Sequence, residues 1–309
     1  MKLNNILSPV LLGSIAAFGL TSCGDDKSND NAGTEEKAKQ AENRENFTLR
    51  FSAIPDEDTT SQAARYQPVA DYLAKKLGVK VEFVASANYG ASVEKFRNGD
   101  VHLAWFGGVS GVQARDAVSG SVAIASGEAD LAFKSYFIAN TSTGLTKSDK
   151  FPEGIKDLKF TYGSSGSTSG CIMPTSFLMN NTGKGPKEFF TQPFNFSGSH
   201  DKTAELVNAG TFQAGALNYK TYDNGVKSGK IDPAKCIVIW ETPPFADYNF
   251  TAHADLAEHL GADFITDLQD ALVNCDDPAV LKALKRKKLV KVNNDTFKGI
   301  ADVMKKVKF

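Results

Sequence analysis

The stretch richest in chemistry is residues 162–174, YGSSGSTSGCIMP. Three glycines and five serines and threonines follow a strand-like run and precede a run that reads as the start of a helix. Glycines let successive backbone N–H groups turn to one side. Serine and threonine add hydroxyl donors, and a helix N-terminus adds partial positive charge. Such a set can cradle an oxyanion with no lysine or arginine. GxxxxGK[ST] is absent and no GxGxxG stands in a dinucleotide setting, so neither phosphate loop is indicated. On the residues alone, a flexible surface loop is an equal reading.

Other reactive residue types form no second constellation. His102, His253 and His259 are scattered, without HExxH or a carboxylate at zinc spacing. Cys171, Cys236 and Cys275 show no CxxC or Cys/His spacing. No metal and no cofactor is expected. A hydrolase would need Ser167 or Cys171 as nucleophile, with His200 near enough to serve as its base and a third group to orient that base. No GxSxG accompanies them.

These residues need a scaffold, and the hydropathy pattern supplies an alternation of strand and helix. Strands are expected at 47–54, 79–85, 101–106 and 122–125, with helices at 60–77, 89–98 and 110–118. A second series has strands at 136–139, 159–162, 194–196, 212–216 and 237–240. Its helices fall at 175–180, 201–209 and 219–227. The tail reads as helix at 255–273, 278–284 and 295–307. This is an α/β chain with open sheets flanked by helices. Two lobes are expected, 47–134 plus 246–309 and 135–245, joined by two crossing strands that make a hinge. Trp105 and Trp240 sit in apolar strands and read as core. The run KALKRKKLVK at 282–291 reads as a solvated helix face, with a docking patch as the alternative.

The chain has 309 residues, 35 basic and 36 acidic, for a net charge of -1. That balance speaks against nucleic acid as a partner. The apolar run at 6–20 falls short of the about 20 residues of a membrane span and reads as a secretory signal, residues 1–22. It ends in LTSC, which resembles the lipobox of bacterial lipoproteins, with Cys23 as the lipidated residue. Residues 24–46 are charged and have no large apolar side chain, so a disordered tether is expected. The protein should then be a monomer held by lipid at a bacterial membrane, periplasmic or at the cell surface. An odd number of body cysteines leaves at least one unpaired, and two of the three read as small buried hydrophobes.

Six blocks in order resemble the periplasmic solute-binding proteins of the phosphate/phosphite/phosphonate ABC-transporter family, closest to the branch labelled as selenate-binding. They are RFSAIPDE at 50–57, LAWFGGVSGVQAR at 103–115, the 162–174 stretch, FSGSHD at 196–201, AGALN at 214–218 and IDPAKCIVIWETPPFADYNF at 231–250. The resemblance implies a two-lobed type II binding protein that closes on a small tetrahedral oxyanion and delivers it to an ABC permease. A ligand-sensing partner of a membrane receptor would look the same in sequence. It implies ligand donors at Ser167, Thr168, Ser169 and Tyr89, a framing role for His200, a cleft position for Asn218, and an acceptor for a protonated oxyanion oxygen at Asp247. Phe106 occupies a site position where phosphonate binders carry tyrosine, which removes a hydroxyl. Lys220 stands near where phosphonate binders pair a glutamate with a substrate amine, which disfavours aminoalkylphosphonates. Cys171 and Thr175 depart from the His and Arg common in the selenate branch. If Asp247 lines the cleft, phosphorus oxyanions are favoured; if it turns outward, selenate is.

Overall fold

The computed structural model describes residues 42–307. The expected signal peptide, Cys23 and most of the tether lie outside them. Residues 42–46, expected as the end of a disordered tether, are helical instead. Arg44 fixes them, reaching Asp267 at 2.5 Å and lying over the Phe264 ring.

Eleven strands form two sheets. The first has the order β11-β4-β10-β3-β1-β2. Its members are β1 Thr48–Ala53, β2 Lys80–Phe83, β3 Leu103–Phe106, β4 Val122–Gly127, β10 Asn249–Ala252 and β11 Leu289–Lys291. The second has the order β7-β6-β8-β5-β9. It comprises β5 Ser135–Asn140, β6 Phe160–Tyr162, β7 Asn195–Phe196, β8 Ala214–Asn218 and β9 Cys236–Glu241. The helices are α1 Gln62–Leu77, α2 Tyr89–Arg97, α3 Gly108–Ala117, α4 Met173–Thr182, α5 Pro186–Phe189 and α6 His200–Asn208. After them come α7 Tyr219–Lys227, α8 Asp255–Leu260, α9 Asp263–Val273, α10 Pro278–Leu284 and α11 Lys298–Met304.

Each sheet anchors a lobe with its own core. Phe51, Phe96, Trp105 and Phe250 are buried in the first, and Phe137, Phe160, Tyr162 and Trp240 in the second. The chain passes between lobes where Phe133 and Phe245 exchange two backbone hydrogen bonds of 2.8 and 2.9 Å. Strands β2, β1 and β3 are mutually parallel, as are β7, β6 and β8. The carboxyl ends of parallel strands are where α/β folds place ligands, because the following turns and helix N-termini gather there. The carboxyl ends of β1, β2, β3, β6, β7 and β8, with the turns and helix starts that follow them, carry Asp56, Tyr89, Gly107, Ser167, His200 and Asn218 respectively.

Three expectations at the element level are corrected. Residues 249–252, given no strand, form β10, antiparallel between β3 and β4. The tail helix at 255–273 is two helices, broken where Gly261 takes φ 88°. The basic run 282–291 is not one helix face. Lys285 adopts left-handed φ 55° and ends α10, Arg286 turns inward to Asp130, and β11 then pairs with β4. All three body cysteines are buried and unpaired.

Candidate oxyanion site between the lobes

The N-terminus of α3 is the first half of the site. Its leading N–H groups have no partner within the helix and must find acceptors elsewhere. Gly107 N–H donates to the Ser110 hydroxyl at 3.0 Å. Gly108 N–H donates to Asp247 Oδ1 at 2.9 Å, and Val109 N–H to Thr168 Oγ1 at 2.9 Å. Asp247 belongs to the segment entering β10, and Thr168 to the other lobe, so three distant pieces of chain meet at one helix end. Glycine at 107 gives this meeting room: a Cβ there would stand 3.1 Å from Thr168 Oγ1 and 3.2 Å from Asp247 Oδ1, so these side chains would have to give way by a few tenths of an ångström.

The second half is the 163–170 loop and the π-helical turn Thr168–Ile172 that follows. Ser167 caps that turn, accepting from Gly170 N–H at 3.0 Å, and its hydroxyl lies 3.4 Å from His200 Nε2. His200 Nδ1 accepts from Asn218 N–H at 3.2 Å. The neutral ring therefore carries its proton on Nε2 and donates toward Ser167. Burial lowers the His200 pKa, which keeps the ring neutral. A histidine in this tautomer cannot take the Ser167 proton, and the Cys171 thiol is buried with its pKa pushed well up. Neither member of the hydrolase alternative is poised as a nucleophile.

Tyr89, at the first turn of α2, brings a buried phenol across the cleft to Ser167. The lobes touch here: a Cβ on Gly166 would come within 3.0 Å of Tyr89 Cβ. Further interlobe bonds run from His200 N–H to Asp56 O (3.1 Å), Asp58 N–H to Asp201 Oδ2 (3.1 Å) and Thr221 Oγ1 to Glu57 Oε1 (3.1 Å). The lobes are closed on one another.

Asp247 is the electrostatic centre. It is 1% exposed, and its Oδ2 has no well-formed hydrogen bond. Burial pushes its pKa up to about 7, against the Gly108 N–H and the nearby Ser169 and Thr168 hydroxyls, which hold it down. The structure thus brings together Ser167, Thr168, Ser169, Tyr89, His200, Asn218 and Asp247. Phe106 is not with them: its ring is fully buried and packs edge-on against Phe96 at 5.5 Å.

Sequence reading missed two side chains that complete the ring. Tyr248 donates to Asp56 Oδ2 at 3.0 Å and lies 3.5 Å from Asn218 Nδ2. Both fall in quoted blocks, Asp56 in RFSAIPDE and Tyr248 directly after Asp247. No group of three or more His, Cys, Asp or Glu among the described residues could hold a metal ion.

A pocket rich in uncharged donors, with the buried carboxyls of Asp247 and Asp56 at its wall and closed between two α/β lobes, suits a small anion that can bring a proton. A model of the family described as ABC transporter, phosphonate, periplasmic substrate-binding protein matches residues 51–297. The chain belongs to this family. A probable ABC transporter phosphite binding protein, PhnD1 of Prochlorococcus marinus, is 36% identical over 266 residues, 84% of this chain and 89% of the relative. The phosphate-import protein PhnD of Mycolicibacterium smegmatis is 29% identical over 229 residues, covering 69% and 68%. The 1.52 Å structure of Prochlorococcus marinus PhnD1 in complex with methylphosphonate matches with a TM-score of 0.78 at 35% identity, over 84% of this chain and 97% of that one. As a family member the chain is the periplasmic substrate-binding component of an ABC transporter. No helix among the described residues is long and apolar enough to cross a membrane.

Proposed function

We propose that the chain captures phosphite or a small alkylphosphonate such as methylphosphonate, and that the bound oxyanion shares one proton with Asp247. The observation carrying this is the buried Asp247 carboxyl, whose Oδ2 has no well-formed hydrogen bond, set among the N–H groups of α3 and the hydroxyls of 167–169. An ionised carboxylate only accepts, and a fully ionised oxyanion only accepts, so one of them must hold a proton when they meet. Phosphorus oxyanions titrate near neutrality, as this carboxyl does, and share the proton strongly. Sulfate and selenate oxygens are far weaker bases and make poorer partners for it. The relatives support the same reading, one called a phosphite-binding protein and solved with methylphosphonate.

Lys220 and Arg286 border the crevice beside Asn218 and Tyr248. Asp56 and Glu57 line the same crevice, so the titration with 2-aminoethylphosphonate decides whether an aminoalkyl substituent is accepted. Calorimetric titration with phosphite, methylphosphonate, 2-aminoethylphosphonate, phosphate, sulfate and selenate tests the assignment. Phosphite or methylphosphonate should bind tightest; sulfate or selenate binding as tightly would overturn it.

Delivery to a permease from a lipid anchor at Cys23 completes the proposal. It rests on the LTSC motif and on family membership. Cys23→Ala should move the protein from the membrane to the aqueous fraction of cells that express it. Retention in the membrane would count against the anchor.

A further inference from the structure

The donors around Asp247 are neutral, and the nearest carboxyls, Asp56 and Asp247, repel an approaching anion. Cations gather instead on one flank of the cleft. Lys220 and Lys227 of α7 face Lys285, Arg286, Lys287 and Lys288 across a groove of about 410 Å³, built by both lobes. Its only acidic lining residues are Glu128 and Asp223. Among the described residues, Lys220, Lys227, Lys287 and Lys288 have no ion-pair partner. The cations crowd one another: burial, then Arg286 and Lys287, bring Lys220 down to about 8. In a chain of net charge -1 this is a marked local excess of positive charge.

The groove leads inward. Lys220 and Arg286 also line a throat with Asn218, Tyr248 and the carboxylates Asp56 and Glu57, of about 10 Å³ in the closed protein, so the cationic bias belongs to the outer groove. Asn218 caps α7 two residues before Lys220. The Arg286 guanidinium lies 4.7 Å above the ring of Tyr248, which follows Asp247. Because its two banks belong to different lobes, parting the lobes widens the throat and leaves cations on both sides.

We propose that this groove is the electrostatic entrance to the site: it gathers the oxyanion and raises its rate of capture, while the neutral pocket holds it. The destination rests on the ligand reading above. Clefts lined by one sign of charge raise association rates and make them salt-dependent, and rim charges act on association rather than dissociation.

Stopped-flow fluorescence provides the test, since Trp105 stacks on Tyr248 at 5.6 Å and reports on the pocket. Phosphite is the probe, with methylphosphonate as a parallel arm. Lys287→Glu with Lys288→Glu should slow association about 10-fold at low ionic strength, with dissociation unchanged, and the gap should close at high salt. The control, Lys75→Glu with Lys76→Glu, makes the same change in net charge on exposed residues of α1 outside the groove. It should leave association unchanged. Equal slowing by both double variants, or none by the groove variant, would overturn the entrance. Wild-type protein that binds neither probe would sink the ligand reading, and the entrance with it.

Discussion

Replacing Asp247 by Asn should make the protein more stable and a worse receptor. Burial raises the carboxyl's pKa to about 7 in the fold, against an ordinary aspartate value of 3.8. Its folded pKa is raised, so the native state binds more protons than the unfolded chain between those values, and stability falls as pH rises through that window. Above pH 7 the full penalty applies. About three pKa units at about 1.4 kcal/mol each amount to roughly 4 kcal/mol. Asparagine keeps an oxygen for the Gly108 N–H and carries no charge, so the variant should melt several degrees higher than wild type above neutrality. Below about pH 4 the two should converge, because both states of the wild type are then protonated. Thermal melts of both proteins across pH measure this. The same variant should bind phosphite about 10–150-fold more weakly, the value of one charge-assisted hydrogen bond. A variant no more stable than wild type at alkaline pH would refute the reasoning, since the carboxyl would then not be desolvated. Phosphite affinity unchanged in calorimetry would refute its role in binding.

Other substitutions probe the neutral donors and the closure. Ser167→Ala and Thr168→Ala should each weaken phosphite binding about 10–150-fold by calorimetry, the cost of losing a hydrogen bond to a charged ligand. Gly170→Ala places a Cβ 2.9 Å from His200 Cε1 and 3.0 Å from Ser167 Oγ. It should cost about 1–3 kcal/mol of stability by denaturant unfolding, together with ligand affinity. Thr221→Val removes the hydroxyl that bridges to Glu57. It should lower affinity roughly 2–12-fold, the worth of one ordinary hydrogen bond in the closed form, with little change in the melting temperature of the ligand-free protein.

Much of this was legible because the physics was local. The parallel strands β1, β3 and β8 are apolar runs with turn residues at their ends, and loop 163–170 is conspicuous by glycine and hydroxyl content alone. Tyr89, His200, Asn218 and Asp247 came from resemblance, since nothing in their own spacing joins them. What stayed hidden depends on distance along the chain. Strand β10 is four residues long and exists because β3 and β4, more than a hundred residues away, flank it. The N–H groups of Gly108 and Val109 carry no side-chain signal. Arg286 hides in a run of surface lysines and is buried only because Asp130, 156 residues earlier, neutralises it beneath the rings of Tyr248 and Trp105.

The proton between Asp247 and the ligand is the centre of the account, and counting it is the most direct test. Calorimetric titration of phosphite near pH 8.5, in buffers of different ionisation enthalpy, reports the protons taken up on binding. Uptake of about one proton per phosphite by wild type, reduced to near zero in Asp247→Asn, is the predicted result. No uptake by wild type, or equal uptake by both proteins, would contradict it.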